Sequence, residues 1–75
     1  NDTIVSGAGN DNISGGDGND SVDNSGAGND VIDTGAGNDV VTGGANIDNV
    51  TAGDGDDTVT GAAGNDIISA GAGND

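Results

Sequence analysis

The chain has 75 residues, of which 17 are Gly and 14 are Asp, and it contains no Lys, Arg, His, Cys, Pro, Met or aromatic residue. A net charge of −14 with no basic side chain argues against nucleic acid, anionic lipid and phosphate ligands. Without Cys there is neither a disulfide nor a thiolate site. An apolar fraction of 29%, drawn from Ala, Val and Ile alone, makes too small a core to offset the backbone entropy of so much glycine. Left to itself, such a composition is disordered and self-repelling, so a folded state has to recruit cations from outside.

Internal repetition organises everything else. Asp2, Asp11, Asp20, Asp30, Asp39, Asp48, Asp57, Asp66 and Asp75 stand nine residues apart, except for the ten between Asp20 and Asp30. Two residues after each of them, the last excepted, comes a β-branched aliphatic: Ile4, Ile13, Val22, Ile32, Val41, Val50, Val59 and Ile68. Two residues before most of them comes Gly9, Gly18, Gly28, Gly37, Gly55, Gly64 or Gly73.

Taken along the chain, each unit divides into a six-residue turn and a three-residue strand. The turns are 6–11, 15–20, 25–30, 34–39, 43–48, 52–57, 61–66 and 70–75, from SGAGND at the first to AGAGND at the last. Gly and Asn fill the positions that need positive φ. The strands, such as Asn12-Ile13-Ser14 and Thr58-Val59-Thr60, set an aliphatic centre between mostly polar flanks, the alternation a half-buried strand requires. Nothing in this period or composition suits a helix. A turn every nine residues sends successive strands alternately into two facing sheets. The expected fold is all-β: a right-handed parallel β-roll, a β-solenoid with two facing parallel sheets of short strands and 18 residues per coil. Residues 1–75 form one such segment, and because the chain begins and ends inside a repeat it reads as part of a longer protein.

Stacked turns bring like carboxylates together two repeats apart, which is costly unless a cation lies between them. One edge would carry Asp11, Asp30, Asp48 and Asp66; the other would carry Asp2, Asp20, Asp39, Asp57 and Asp75. An all-oxygen site of flexible geometry suits Ca²⁺ better than Mg²⁺, and with no His or Cys a zinc or copper site has little support. Pairing each turn with the next but one gives about six or seven ions, enough to bring the chain close to neutrality.

These units resemble the repeats-in-toxin (RTX) nonapeptide G-G-x-G-x-D-x-U-x, with U a large aliphatic, over essentially the whole chain. The resemblance implies that each Ca²⁺ takes Asp carboxylates from two stacked turns and carbonyls from the turns' first four positions. Carried onto this chain, the side-chain ligands are the nine Asp of the repeat, with Asp2 and Asp75 at cut ends. The implied carbonyl donors are Gly7, Gly9, Gly16, Gly18, Gly26, Gly28, Gly35, Gly37, Gly44, Asn46, Gly53, Gly55, Gly64, Gly71 and Gly73. It also implies an extracellular or bacterial cell-surface protein, exported unfolded through a one-step secretion system and folded outside by calcium.

Several positions depart from the repeat. Asn46 stands where Gly is expected, and Ile47 after it should be exposed. Ala62 replaces Gly and is strained if φ is positive there. The extra residue near Asn24 is expected to bulge after the strand at 21–23. Asp17, Asp23, Asp33, Asp54 and Asp56 lie outside the repeating position and read as solvated surface charge. Val31, Val40 and Ile67 precede the core position and should point outward.

Few side chains remain for chemistry. Without His, Cys, Lys, Tyr, Arg or Glu, general acid–base and nucleophilic catalysis have no equipment, so the segment is expected not to be an enzyme. An EF-hand fails for want of Glu, a P-loop for want of Lys and collagen for want of Pro. A water-ordering ice-binding face wants outward Thr, whereas the row here is Ala8, Ala27, Ala36, Ala45, Ala63 and Ala72, broken by Asp17 and Asp54. The favoured role is a structural stretch of an adhesin or surface-layer protein; the alternative is the calcium-folded tail of a secreted protease, lipase or toxin. The partners implied are calcium ions, the remainder of the same polypeptide and, in a surface layer, lateral copies in a lattice, with no nucleic acid and no membrane insertion.

Overall fold

The structure, a computed structural model, describes all residues 1–75. Eight strands follow in order: β1 (Thr3–Val5), β2 (Asn12–Asp17), β3 (Ser21–Asp23), β4 (Val31–Ala36), β5 (Val40–Thr42), β6 (Asn49–Thr51), β7 (Thr58–Thr60) and β8 (Ile67–Ser69). They form two four-stranded parallel sheets, β1-β3-β5-β7 and β2-β4-β6-β8. Odd and even strands therefore face each other, and one coil consists of two strands and two turns. Partners lie 18 residues apart, as in Ile4↔Val22 and Val41↔Val59, and 19 apart across the ten-residue repeat, as in Val22↔Val41 and Ile13↔Ile32. The chain is an all-β solenoid of parallel strands, as its period requires.

The aliphatic centres make the core. Ile13, Val22, Ile32, Val41 and Val50 are buried in one cluster, with Ile4 and Val59 half-buried against it. Ile68, in the last rung of its sheet, is 46% exposed because no further coil covers its outer side. Val31, Val40, Ile47 and Ile67 point outward, as their positions before or outside the core row dictate. They form no continuous apolar stripe: Val31 lies between Asn12 and Asn49, and Val40 between Ser21 and Thr58.

The two edges of the roll are not equivalent. Turns 6–11, 25–30, 43–48 and 61–66 stack on the first edge; turns 15–20, 34–39, 52–57 and 70–75 stack on the second. On the second edge β2 and β4 run on into their turns, so these strands have six residues where the sequence suggested three. Gly16↔Gly35 and Asp17↔Ala36 carry the pairing, and single bridges extend it through Ala36↔Asp54 and Asp54↔Ala72. On the first edge bridging is confined to Ala27↔Ala45 and Ala45↔Ala63.

The inserted residue lies on this edge, and the bulge expected after β3 falls at Ser25, one step beyond Asn24. Asn24 itself stays in register. Its N–H donates to the Thr42 carbonyl in regular parallel register, and its side chain is fully buried. The extra residue is absorbed there, where Ser25 and Gly26 together oppose Gly44; a Cβ built on Gly44 would fall 2.2 Å from the Gly26 carbonyl oxygen and 2.5 Å from that of Asn24. Ser25 is exposed, and its N–H donates to Asp23 Oδ1 at 3.1 Å. The physical reason is strand alternation: two residues beyond the inward Val22, position 24 also points inward.

Candidate metal centres

The same alternation places the repeating Asp. Each stands two residues before an inward aliphatic and so faces the interior at one edge of the core. Asp20, Asp30, Asp39, Asp48 and Asp57 are buried, and Asp11 and Asp66 are half-buried. Asp2 and Asp75 are exposed.

Stacking joins them in two files. The Asp20 N–H donates to Asp39 Oδ1 at 2.8 Å, and the Asp39 N–H donates to Asp57 Oδ1 at 2.8 Å. At the ends of this file, Asp2 N–H donates to Asp20 Oδ1 at 2.6 Å and Asp57 N–H to Asp75 Oδ1 at 3.2 Å. On the first edge the corresponding bonds are Asp11 to Asp30 at 2.7 Å, Asp30 to Asp48 at 3.1 Å and Asp48 to Asp66 at 3.1 Å. Each carboxylate from Asp20 onward thus spends one oxygen holding the backbone of the preceding coil, whereas Asp2 and Asp11, in the first coil, receive no such bond.

The second oxygen separates the edges. Oδ2 of Asp20, Asp39 and Asp57, and of Asp11 on the first edge, is buried and accepts no hydrogen bond. Burying a carboxylate oxygen without a donor or counter-charge costs several kcal/mol or about that. Beside it the turn needs glycine, because a Cβ built on Gly15 would collide with Asp20 Oδ2 at 2.6 Å. The fourth-position carbonyls of Gly9, Gly18, Gly28, Gly37, Asn46, Gly55 and Gly64 also accept no hydrogen bond. Unpaired carboxylate and carbonyl oxygens are the donor set of a hard divalent cation, and they fit calcium. No three carboxylates converge, so such an ion must draw most of its shell from backbone oxygen.

At Asp30 and Asp48 on the first edge the second oxygen is already engaged. Asp30 Oδ2 accepts the Asn24 side-chain amide at 2.8 Å, and Asp48 Oδ2 accepts the Gly44 N–H at 3.3 Å. Ser6 Oγ in turn donates to Asn24 Oδ1, closing a Ser6–Asn24–Asp30 chain inside the turn.

The other singled-out residues sort as follows. Second-position carbonyls accept neighbouring N–H groups at Gly35, Gly44 and Gly53, which leaves each one lone pair. Asn46 and Ala62 both have positive φ, 96° and 70°, so both substitutions sit where the repeat needs glycine. Asp17, Asp23, Asp33, Asp54 and Asp56 are exposed. Two features of the turns are not evident from the repeat spacing. The position two residues past each aliphatic is interior, and Asn24, Thr34 and Ala52 there are fully buried; continuing the strand alternation past each aliphatic would have found it. An outer file of Asn also braces the turns: Asn19 Oδ1 accepts the Asn38 N–H at 2.9 Å, and Asn10 Oδ1 the Asn29 N–H at 2.9 Å.

Comparisons with curated proteins and with solved structures each returned no match. The family model of the RTX calcium-binding nonapeptide repeat (4 copies) matches residues 1–25, 24–50 and 42–75, and with the whole chain covered in this way the protein belongs to that calcium-binding repeat family.

Proposed function

We propose that this chain is a calcium-folded structural segment of a secreted or cell-surface protein, of the kind that spaces or anchors an adhesin or surface layer. The observation that carries it is the row of buried Oδ2 atoms on Asp20, Asp39 and Asp57 with no donor in reach. Bound calcium supplies positive charge between stacked carboxylates that no side chain of this sequence, lacking Lys, Arg and His, can provide. The side-chain ligands in this reading are the repeating Asp of adjacent turns, and the unpaired fourth-position carbonyls complete each shell. With only Asp, Ser, Thr and Asn as functional side chains, and with the buried Asp committed to the backbone ladder, the segment supports structure and not catalysis.

The role is tested by titrating the metal-stripped chain with calcium and, separately, magnesium while bound ion is counted by equilibrium dialysis. Several calcium ions per chain should bind cooperatively at about 0.1–1 mM, the range of extracellular calcium modules, and magnesium should fail to replace them. A chain that takes up no calcium across that range contradicts the reading.

A further inference from the structure

At turn 25–30 the inward position two residues past the aliphatic is Asn24, and its amide reaches the oxygen that is bare at Asp20, Asp39 and Asp57. Asp20, Asp39 and Asp57 each present a buried Oδ2 without a partner; in their turns the first residues are Gly15, Thr34 and Ala52. Gly15 and Ala52 have no polar side chain, and the Thr34 hydroxyl donates away from the carboxylate, to the Ala52 carbonyl at 2.9 Å. Asn24 instead donates to Asp30 Oδ2 at 2.8 Å, from a side chain that is itself fully buried. The Asp11 N–H occupies the other Asp30 oxygen at 2.7 Å. Both oxygens of Asp30 are therefore satisfied by the protein.

We propose that the Asn24 side-chain amide takes, at Asp30, the place a calcium ion takes at Asp20, Asp39 and Asp57, so that turn 25–30 is closed to metal by the residue that precedes it. The inference rests on the proposed calcium role of the other turns. A calcium ion needs to approach a carboxylate oxygen to about 2.3–2.6 Å. The amide nitrogen stands in that approach and is anchored from behind by the Ser6 hydroxyl on Asn24 Oδ1. Insertion and plug belong together: Asn24 keeps strand register, while exposed Ser25 takes up the additional length. A neutral amide satisfies the oxygen without adding charge, so this turn is held independently of the calcium concentration around it.

The test compares the wild-type chain with Asn24→Gly, which restores the glycine found at first positions 15, 43 and 61. Saturated with calcium and analysed for metal content, Asn24→Gly should carry about one more ion per chain than wild type. Anomalous scattering from wild-type crystals soaked in a lanthanide should give peaks beside Asp20, Asp39 and Asp57 and none on Asp30 Oδ2. Equal ion counts overturn the proposal. So does an ion bridging Asn24 Oδ1 and Asp30 Oδ2 with the amide turned over, in which case Asn24→Gly loses an ion where the proposal has it gain one. If Asn24→Gly does not fold, the wild-type anomalous map decides alone. If neither chain binds calcium, the general calcium role falls and takes this inference with it; calcium bound in wild type with Asp30 also occupied sinks the inference alone.

Discussion

The second edge of the roll is regular and the first is not, and the difference lies in what satisfies the inward carboxylates. On the second edge, pairing runs unbroken from Gly16↔Gly35 to Asp54↔Ala72, and three successive Asp present a bare buried oxygen. On the first edge, an insertion, Asn46 and Ala62 interrupt the repeat, and Asp30 and Asp48 find donors in or just before their own turns. One period therefore serves two ends: a file of oxygens that lacks positive charge, and a file partly closed by protein hydrogen bonds. Regular sequence concentrates the need for metal, and irregular sequence relieves it.

The most damaging way to probe this contrast is at Asp39, whose carboxylate receives the Asp20 N–H and whose own N–H reaches Asp57. Asp39→Ala should cost about 3–5 kcal/mol of calcium-bound stability, as removal of one partner from a buried ionic array does. Asp11→Ala, at the start of the first edge, should cost a small fraction of that, with a correspondingly smaller rise in the calcium midpoint of folding. Equal midpoints for the two variants would break the stacked arrangement.

Backbone geometry gives a second contrast, this time in sign. A Cβ on Gly53 would fall 1.7 Å from the Gly35 carbonyl oxygen at φ +107°, so Gly53→Ala should destabilise the second edge by about 2–5 kcal/mol. Ala62 already bears a side chain at φ 70°, and Ala62→Gly should stabilise the first edge by about 1 kcal/mol. Thermal melts in calcium measure both, and a loss of stability in Ala62→Gly would contradict the strain assigned there. Smaller again is Thr34→Val, which strips the Ala52 carbonyl of a buried hydroxyl donor and should cost about 1–2 kcal/mol without changing the number of ions bound. A changed ion count would place Thr34 in the metal shell instead.

The nine-residue period made the sheets, their parallel stacking and the aliphatic core row legible, because period and alternation fix which residues meet before any contact is known. Ile32, Val41 and Val50 fall where that logic puts them. It missed the interior position two residues past each aliphatic because Gly and Ala there hide the alternation, and only Asn24 and Thr34 reveal it. The Asp files were legible as positions but not as bonds: that Oδ1 grips the neighbouring coil and Oδ2 is left over depends on carboxylate orientation, which spacing does not carry. Nor could spacing tell which residue at the insertion bulges outward, Ser25, and which turns inward, Asn24.

Small-angle scattering on one sample, first in chelator and then in excess calcium, bears most directly on the need of these carboxylates for metal. In calcium the radius should approach the 10.8 Å of the folded Cα trace. In chelator it should expand toward about 27 Å, the size of an unfolded chain of this length. A chain that stays at its folded dimensions with calcium removed would mean that its buried aspartates are tolerated without any ion, and the account would be wrong.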